Sequence, residues 1–340
     1  MPLFSVLILL ISLGAVLVAA SLFTNGIEWL GKRLNLSVGA VGSVLAAVGT
    51  ALPEAMIPIV AVLGGHEDSA HVGIGAILGA PFMLSTLAFL VVGLSARLFK
   101  QREQGPVITV DATIFQRDIR FFLIVFTVAA AVSFVPWKGL RYLVAILLVS
   151  LYIIYVYKTI RAGQKMGENE TDIKPLFIAR KAKRPAIALI ILQLIVALVM
   201  MVLGARFFVN AIIDLAHTFN LSTLLLSLII TPVATELPEK FNSIFWMRDG
   251  KDTLALGNIT GAMVFQSSVV PSVGIAFTSW ELTLSALVSV VLALLSAFIV
   301  FYCSMRKDQL TANVLIFSGS FYVVFILFVV LASWFKWPAH

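Results

Sequence analysis

The chain has 340 residues, of which 60% are hydrophobic and 12% charged, with a formal net charge of +7 and one cysteine, Cys303. A soluble domain carries about 25% charged residues, so the composition excludes a soluble enzyme with a single anchor and describes a polytopic membrane protein. A lone cysteine excludes an internal disulfide framework and a cysteine metal site, and basic residues that lie between apolar stretches do not point to nucleic acid.

A membrane-spanning helix needs about 20 largely apolar residues. Such stretches are expected at 3–24, 38–63, 71–96, 120–136, 139–158, 185–213, 221–246, 253–278, 281–303 and 311–335. The first has no basic leader and reads as a span, not as a cleavable signal. The fourth is short and meets the fifth at Pro136-Trp137-Lys138. The most polar connection, 158–184, divides the chain into 1–157 and 185–340, five spans each. The expected fold class is an all-α polytopic membrane protein of about ten transmembrane helices.

Of the 24 lysines and arginines, 19 lie in or at the edges of connections after odd-numbered spans, Lys138, Arg141 and Lys336 lie at the other face, and Arg206 and Lys240 lie deeper within spans. Basic loops stay in the cytoplasm. This puts the 158–184 linker in the cytoplasm and both termini outside, in the cell inner (plasma) membrane. Five spans per half is an odd number, so the second half enters the bilayer inverted relative to the first, and residues paired across the halves meet near the midplane.

The pairing is visible in the residues. Leu52-Pro53-Glu54 recurs as Leu237-Pro238-Glu239, 185 residues on. The same offset aligns Asn25 with Asn210, Asn35-Leu36-Ser37 with Asn220-Leu221-Ser222, and Thr50 with Thr235. A carboxylate costs about 3 kcal/mol to place inside a membrane helix and marks a functional site by default. Each proline removes a helix hydrogen bond, which frees the carbonyls of Gly49 and Ala234. Thr50 and Thr235 add hydroxyls; Glu54 and Glu239 add carboxylates. Calcium takes about six to eight oxygen ligands of these kinds, whereas magnesium resists losing its waters. After each motif come glycines, Gly73, Gly75 and Gly79 in one half and Gly257 and Gly261 in the other, which permit close helix packing.

Two further charges lie inside the seventh span. Glu236 and Lys240 are four apart with the acid first, the favourable order for a helical ion pair. Lys240 is expected to neutralise Glu236 or Glu239 in place of a bound monovalent cation. Buried lysines shift their protonation readily, so proton coupling through Lys240 and a static salt bridge both stand open. Arg206 is placed either to pair with Glu236 or to extend to the interface. There is no His-Glu-x-x-His, no Gly-x-Gly-Asp, and no serine placed with a histidine in apolar sequence, so no intramembrane enzyme is expected.

These motifs resemble the alpha repeats of the cation/calcium exchanger superfamily, particularly its sodium/calcium exchanger branch. That pattern is G-T-S-L-P-E followed by G-N-x-x-G-S-N-x-x-N/D. This chain has Gly49-Thr50-Ala51-Leu52-Pro53-Glu54 with Gly75 to Leu84, and Ala234-Thr235-Glu236-Leu237-Pro238-Glu239 with Gly257 to Gln266. The resemblance implies a ten-helix inverted repeat of prokaryotic type. It implies Glu54 and Glu239 as central calcium ligands, with Thr50 and Thr235 beside them and substrate and counter-ion taking turns at one site. The chain departs from the pattern at Ala51 and Glu236, at Ala80 and Ala262, at Pro81 and Met263, and at Leu84 and Gln266. In the family several of these positions hold sodium.

The expected site is therefore Gly49, Thr50, Glu54, Ala234, Thr235, Glu236, Glu239 and Gln266, with Lys240 as the coupling candidate. The expected activity is secondary antiport of Ca²⁺, or a related divalent cation, against Na⁺ or H⁺. A proton-coupled carrier of another cation, or a cation channel with the paired glutamates as filter, are the alternatives. Inorganic cations and the lipid bilayer are the expected partners, with no resident cofactor, nucleic acid or obligate protein partner.

Overall fold

A computed structural model of the chain describes residues 2–33, 46–100, 102–163, 174–182, 184–306 and 310–334, and excludes a few side chains within them, chiefly those of residues 46–53, 237–239 and 241–242. The described residues are helical almost throughout. The first half contains α1 (Pro2–Arg33), α2 (Ala46–Val62), α3 (Glu67–Ser85), α4 (Leu87–Leu98), α5 (Ala112–Ala131) and α6 (Lys138–Gly163). The second contains α7 (Ile187–Phe219), α8 (Thr223–Arg248), α9 (Asp252–Gln266), α10 (Val269–Phe277), α11 (Leu284–Ser304), α12 (Ala312–Gly319) and α13 (Phe321–Trp334).

Among the described residues, seven stretches are long and apolar enough to cross a bilayer: Leu3–Arg33, Glu67–Leu98, Lys138–Thr159, Ile187–Phe219, Asp252–Phe277, Leu284–Ser304 and Ala312–Leu331. The other three expected spans fall on α2, α5 and α8. The first of these has 17 described residues, and the other two carry ionisable side chains that dilute their apolar character. Large apolar side chains such as Leu10, Ile146, Leu192, Val199, Phe298 and Leu327 are exposed on the outer surface, as a protein solvated by lipid requires.

The expected boundaries need correction in three ways. The fourth helix begins well before residue 120, because Asp111 caps it by accepting from the Thr113 and Ile114 amides at 2.9 and 3.3 Å. The first and sixth spans extend beyond their expected ends, to Arg33 and Phe219. The third, eighth and tenth are interrupted. The first two breaks match closely: Thr86, between α3 and α4, has φ −121° and ψ −79°, and Ser268, between α9 and α10, has φ −119° and ψ −72°. Each residue turns its hydroxyl back onto the carbonyl four residues earlier, Thr86 onto Phe82 and Ser268 onto Val264. Such back-bonding competes with the helix ladder and bends it. Discontinuous helices at equivalent places fit the two inverted repeats.

The repeated Asn-Leu-Ser has a structural explanation in its second copy. Asn220 closes α7 in the left-handed conformation (φ 51°), which asparagine tolerates better than most residues. Ser222 then caps α8 by accepting from the Leu225 amide at 3.5 Å. The first copy, Asn35-Leu36-Ser37, lies outside the described residues.

Two close crossings organise the assembly. The long helices α1 and α7 run against each other, with Gly204 packed on Val16 and Gly26 on Leu194. Part of the connecting segment is fixed to this pair. The Asn25 amide and Trp29 indole both donate to the Lys174 carbonyl, at 3.1 and 2.9 Å, and Gln193 accepts from the Ile178 amide at 3.1 Å. Leu176 is fully buried against this cluster. The 158–184 connection is therefore not a uniformly solvated linker.

The second crossing joins the halves, α3 against α8. A Cβ built at Gly75 or Gly79 would overlap the carbonyl oxygens of Leu224 and Leu228, and the Ser227 hydroxyl donates to the Val72 carbonyl at 2.7 Å. Gly257 and Gly261 on α9, expected to play the same part, have no neighbour within 4 Å of a built Cβ among the described residues. Gly79→Ala should thus destabilise the protein by about 1–3 kcal/mol, the usual cost of overpacking a rigid contact. Gly257→Ala should be neutral or stabilising by up to about 1 kcal/mol, since alanine is the better helix former. Melting curves in detergent check both; equal losses would contradict the packing.

Candidate functional site

The helices α2, α8 and α9 bring four polar side chains together inside the protein. Glu54 lies on α2, one residue past Pro53, and is 7% exposed. Glu236 and Lys240 lie one turn apart on α8 and are 0% and 2% exposed. Gln266 is the last residue of α9, at the break, and is 1% exposed. The end of a helix presents a side chain at an angle that a continuous helix would not permit, so the Ser267-Ser268 interruption is what aims Gln266 at the carboxylates.

Its amide joins the two halves. Gln266 Nε2 donates to Glu236 Oε1 at 2.7 Å and to Glu54 Oε2 at 3.3 Å. Lys240 Nζ stands 3.7 Å from Glu236 Oε2. Gln266 Oε1 is buried with no hydrogen-bond partner among the described residues. A buried amide oxygen in that condition is costly, and amide oxygens are ordinary ligands for hard cations. Among the described residues no group of three or more His, Cys, Asp or Glu side chains converges. The described cluster is two carboxylates, one amide and one ammonium.

The expected residues divide clearly. Glu54, Glu236, Lys240 and Gln266 are brought together. Thr235 is buried but donates its hydroxyl to the Thr231 carbonyl at 3.0 Å, within its own helix, as threonine in a helix interior commonly does. Ala234 packs with an apolar cluster. Gly49 is part of α2. The side chains of Thr50 and Glu239 lie outside the described residues, although α2 and α8 run through both positions.

Arg206 does not join the cluster. It is exposed and lines a separate cleft of about 540 Å³ with Met56, His66 and Asn210. Asn210 is exposed there, whereas its repeat partner Asn25 is buried against the connecting segment. At the positions where the chain departs from the alpha-repeat pattern, Ala80, Pro81, Leu84 and Met263 are all buried. The first half therefore offers Leu84 where the second offers Gln266, and the site is asymmetric.

Sequence reasoning missed a second buried ion pair. Arg102 holds Asp252 through two hydrogen bonds, at 2.7 and 2.9 Å, with both side chains 1% exposed. It also donates to the carbonyls of Gly105 and Val107, each at 3.1 Å, and to that of Met247. The Thr109 amide donates to the same Asp252 at 3.0 Å. This clamp ties the α4–α5 connection to the turn between α8 and α9. It was missed because neither residue lies in an apolar span, where a charge stands out.

Comparisons with known proteins bear on the whole chain and its fold. A family model described as sodium/calcium exchanger protein matches residues 4–161 and 189–334. The inner membrane protein YrbG of Escherichia coli (strain K12) is 26% identical over 265 residues, 75% of this chain and 77% of that protein. The crystal structure of the H⁺/Ca²⁺ exchanger CAX superposes with a TM-score of 0.71 at 17% identity, covering 96% of this chain and 82% of that one. A structure of the sodium-calcium exchanger NCX_Mj superposes with a TM-score of 0.55 at 20% identity, covering 96% and 99%. At these identities the two structures speak for the fold alone.

Proposed function

From the premise that this chain belongs to the sodium/calcium exchanger protein family, we propose that it is a secondary antiporter that exchanges Ca²⁺, or a related divalent cation, for H⁺ or Na⁺ by alternating access. The observation that carries this reading is the buried bridge Glu54–Gln266–Glu236. It sets one carboxylate from each half against a common amide, between helices that belong to different repeats. Two carboxylates match the charge of a divalent ion and limit the cost of burying it. Hard oxygen donors of this kind favour Ca²⁺. Glu239, the second central ligand by resemblance, follows Glu236 on the same helix. Thr50, Thr235 and the carbonyls of Gly49 and Ala234 would complete the oxygen set as the helices rearrange around the ion.

The counter-ion reading favours protons. Buried Ala80, Pro81, Leu84 and Met263 supply no side-chain oxygen where the family pattern has polar groups, which leaves few ligands for sodium. The long pair α1 and α7 rocks against the remaining helices to open each side in turn. The 158–184 segment, whose residues Lys174 to Ile178 dock on that pair, lies in the cytoplasm, with both termini outside and the protein in the inner membrane.

Radiolabelled calcium uptake into proteoliposomes, under separate proton, sodium and potassium gradients, tests the reading. Accumulation driven by a proton gradient, saturating with calcium, is expected. Unitary conductance steps in a planar bilayer would show a channel instead, and no uptake under any of the gradients would overturn the antiport.

A further inference from the structure

We infer that Lys240 is a tethered cation of the transport site, one that fills the place of a monovalent counter-ion throughout the cycle and so fixes the charge moved per turnover. The inference rests on the antiport reading above and adds to it how many charges are exchanged.

Lys240 is almost wholly buried, at 2% exposure, on a helix inside the bilayer, with its ammonium 3.7 Å from Glu236 Oε2. A buried ion pair is weak evidence of a purely stabilising role. Replacing a buried pair by well-packed apolar residues is often neutral or stabilising, and ionisable groups at membrane depth belong to transport paths. The pair also shares its carboxylate with the site: Glu236 Oε1 accepts from Gln266, which holds Glu54, while Oε2 faces the lysine. The lysine is thus attached to the same anion that an incoming cation would neutralise. Its distance exceeds the 2.7–2.9 Å or so of a tight charge-assisted hydrogen bond, so it acts on Glu236 mainly as a compact point charge.

Charge counting gives the consequence. The paired motifs carry three acidic residues in sequence, Glu54, Glu236 and Glu239, and one lysine, and the count takes Glu239 as the ligand that the family resemblance implies. With the lysine charged, one divalent ion or two monovalent ions neutralise the set. Without it, a third monovalent charge is needed on the return leg. Wild-type exchange is then electroneutral, whereas Lys240→Gln moves one net charge per cycle.

The test is steady calcium accumulation in proteoliposomes whose membrane potential is clamped with valinomycin and graded potassium. The wild type should give a calcium ratio independent of potential. In Lys240→Gln, each tenfold step in potassium should shift the ratio by about tenfold, since one net charge crosses the potential with each calcium ion. Lys240→Arg, which keeps the cation, should keep the ratio independent of potential, whatever its rate of exchange. Glu236→Gln combined with Lys240→Gln removes the whole pair, restores the net charge and should return the ratio to independence. This double variant also decides the matter if the single one fails to assemble, because a potential-dependent ratio there contradicts the charge count. The same potential dependence in wild type and Lys240→Gln would overturn the inference and leave antiport standing. A wild type that moves no calcium under any gradient would instead remove the antiport reading itself.

Discussion

Glu54→Gln should lower calcium exchange by at least about 30-fold while leaving the helical assembly intact. The substitution is isosteric, and its amide oxygen can still accept from Gln266 Nε2, which reaches Glu54 at 3.3 Å. What it removes is the only carboxylate that the first half supplies to the described cluster, in a place where exposure is 7% and water cannot compensate. Truncating one member of a buried, hydrogen-bonded charge set costs about 2–5 kcal/mol, and about 1.4 kcal/mol is a factor of ten in binding. Uptake measured against calcium concentration, with a detergent melting curve as the fold control, checks both parts. Exchange within about threefold of wild type would mean that Glu54 does not hold the ion.

The second large effect concerns stability. Arg102→Gln or Asp252→Asn should destabilise the protein by about 3–5 kcal/mol, because either change strands a charge that the structure buries. For a protein of this size the loss corresponds to a fall on the order of 5–10 °C in melting temperature. Arg102 carries five hydrogen bonds to four different partners beyond its own turn or within it, Asp252, Met247, Gly105 and Val107. The clamp joins connections from the two halves, so its loss loosens their relative placement, not one helix. Replacing both residues by apolar ones of similar volume should recover part of the loss, as buried pairs elsewhere do. A melting temperature within about 2 °C of wild type for Arg102→Gln would show that the pair contributes little.

The parts of this molecule that were legible in the sequence are those where a polar residue is out of place. Glu54, Glu236 and Lys240 each interrupt apolar sequence, and a charge there has few explanations apart from function. Gln266 was legible only through its register with the alpha-repeat pattern. The helix breaks were not foreseen, although Ser85-Thr86 and Ser267-Ser268 place hydroxyl pairs at matching points of the third and eighth spans. A serine or threonine that bonds back to its own helix is indistinguishable in sequence from one that does not, and only the repetition carried a signal. Thr235 shows the reverse case: its hydroxyl was a plausible ligand by position, and a local hydrogen bond to Thr231 engages it. The Arg102–Asp252 clamp and the docking of Lys174 beneath Trp29 depend on long-range proximity, which neither periodicity nor composition encodes.

The uneven glycine seams carry a consequence for motion. A glycine inside a helix costs about 1 kcal/mol relative to alanine. At Gly75 and Gly79 that weakness is explained by the α8 backbone pressed against them, whereas Gly257 and Gly261 face no described atom that a methyl group would touch. Under the proposed exchange, α3 and α8 travel as one piece: no side chain separates their backbones at this seam, and a slip along it would press a neighbouring side chain onto the Leu224 or Leu228 carbonyl. The stroke then opens at other joints.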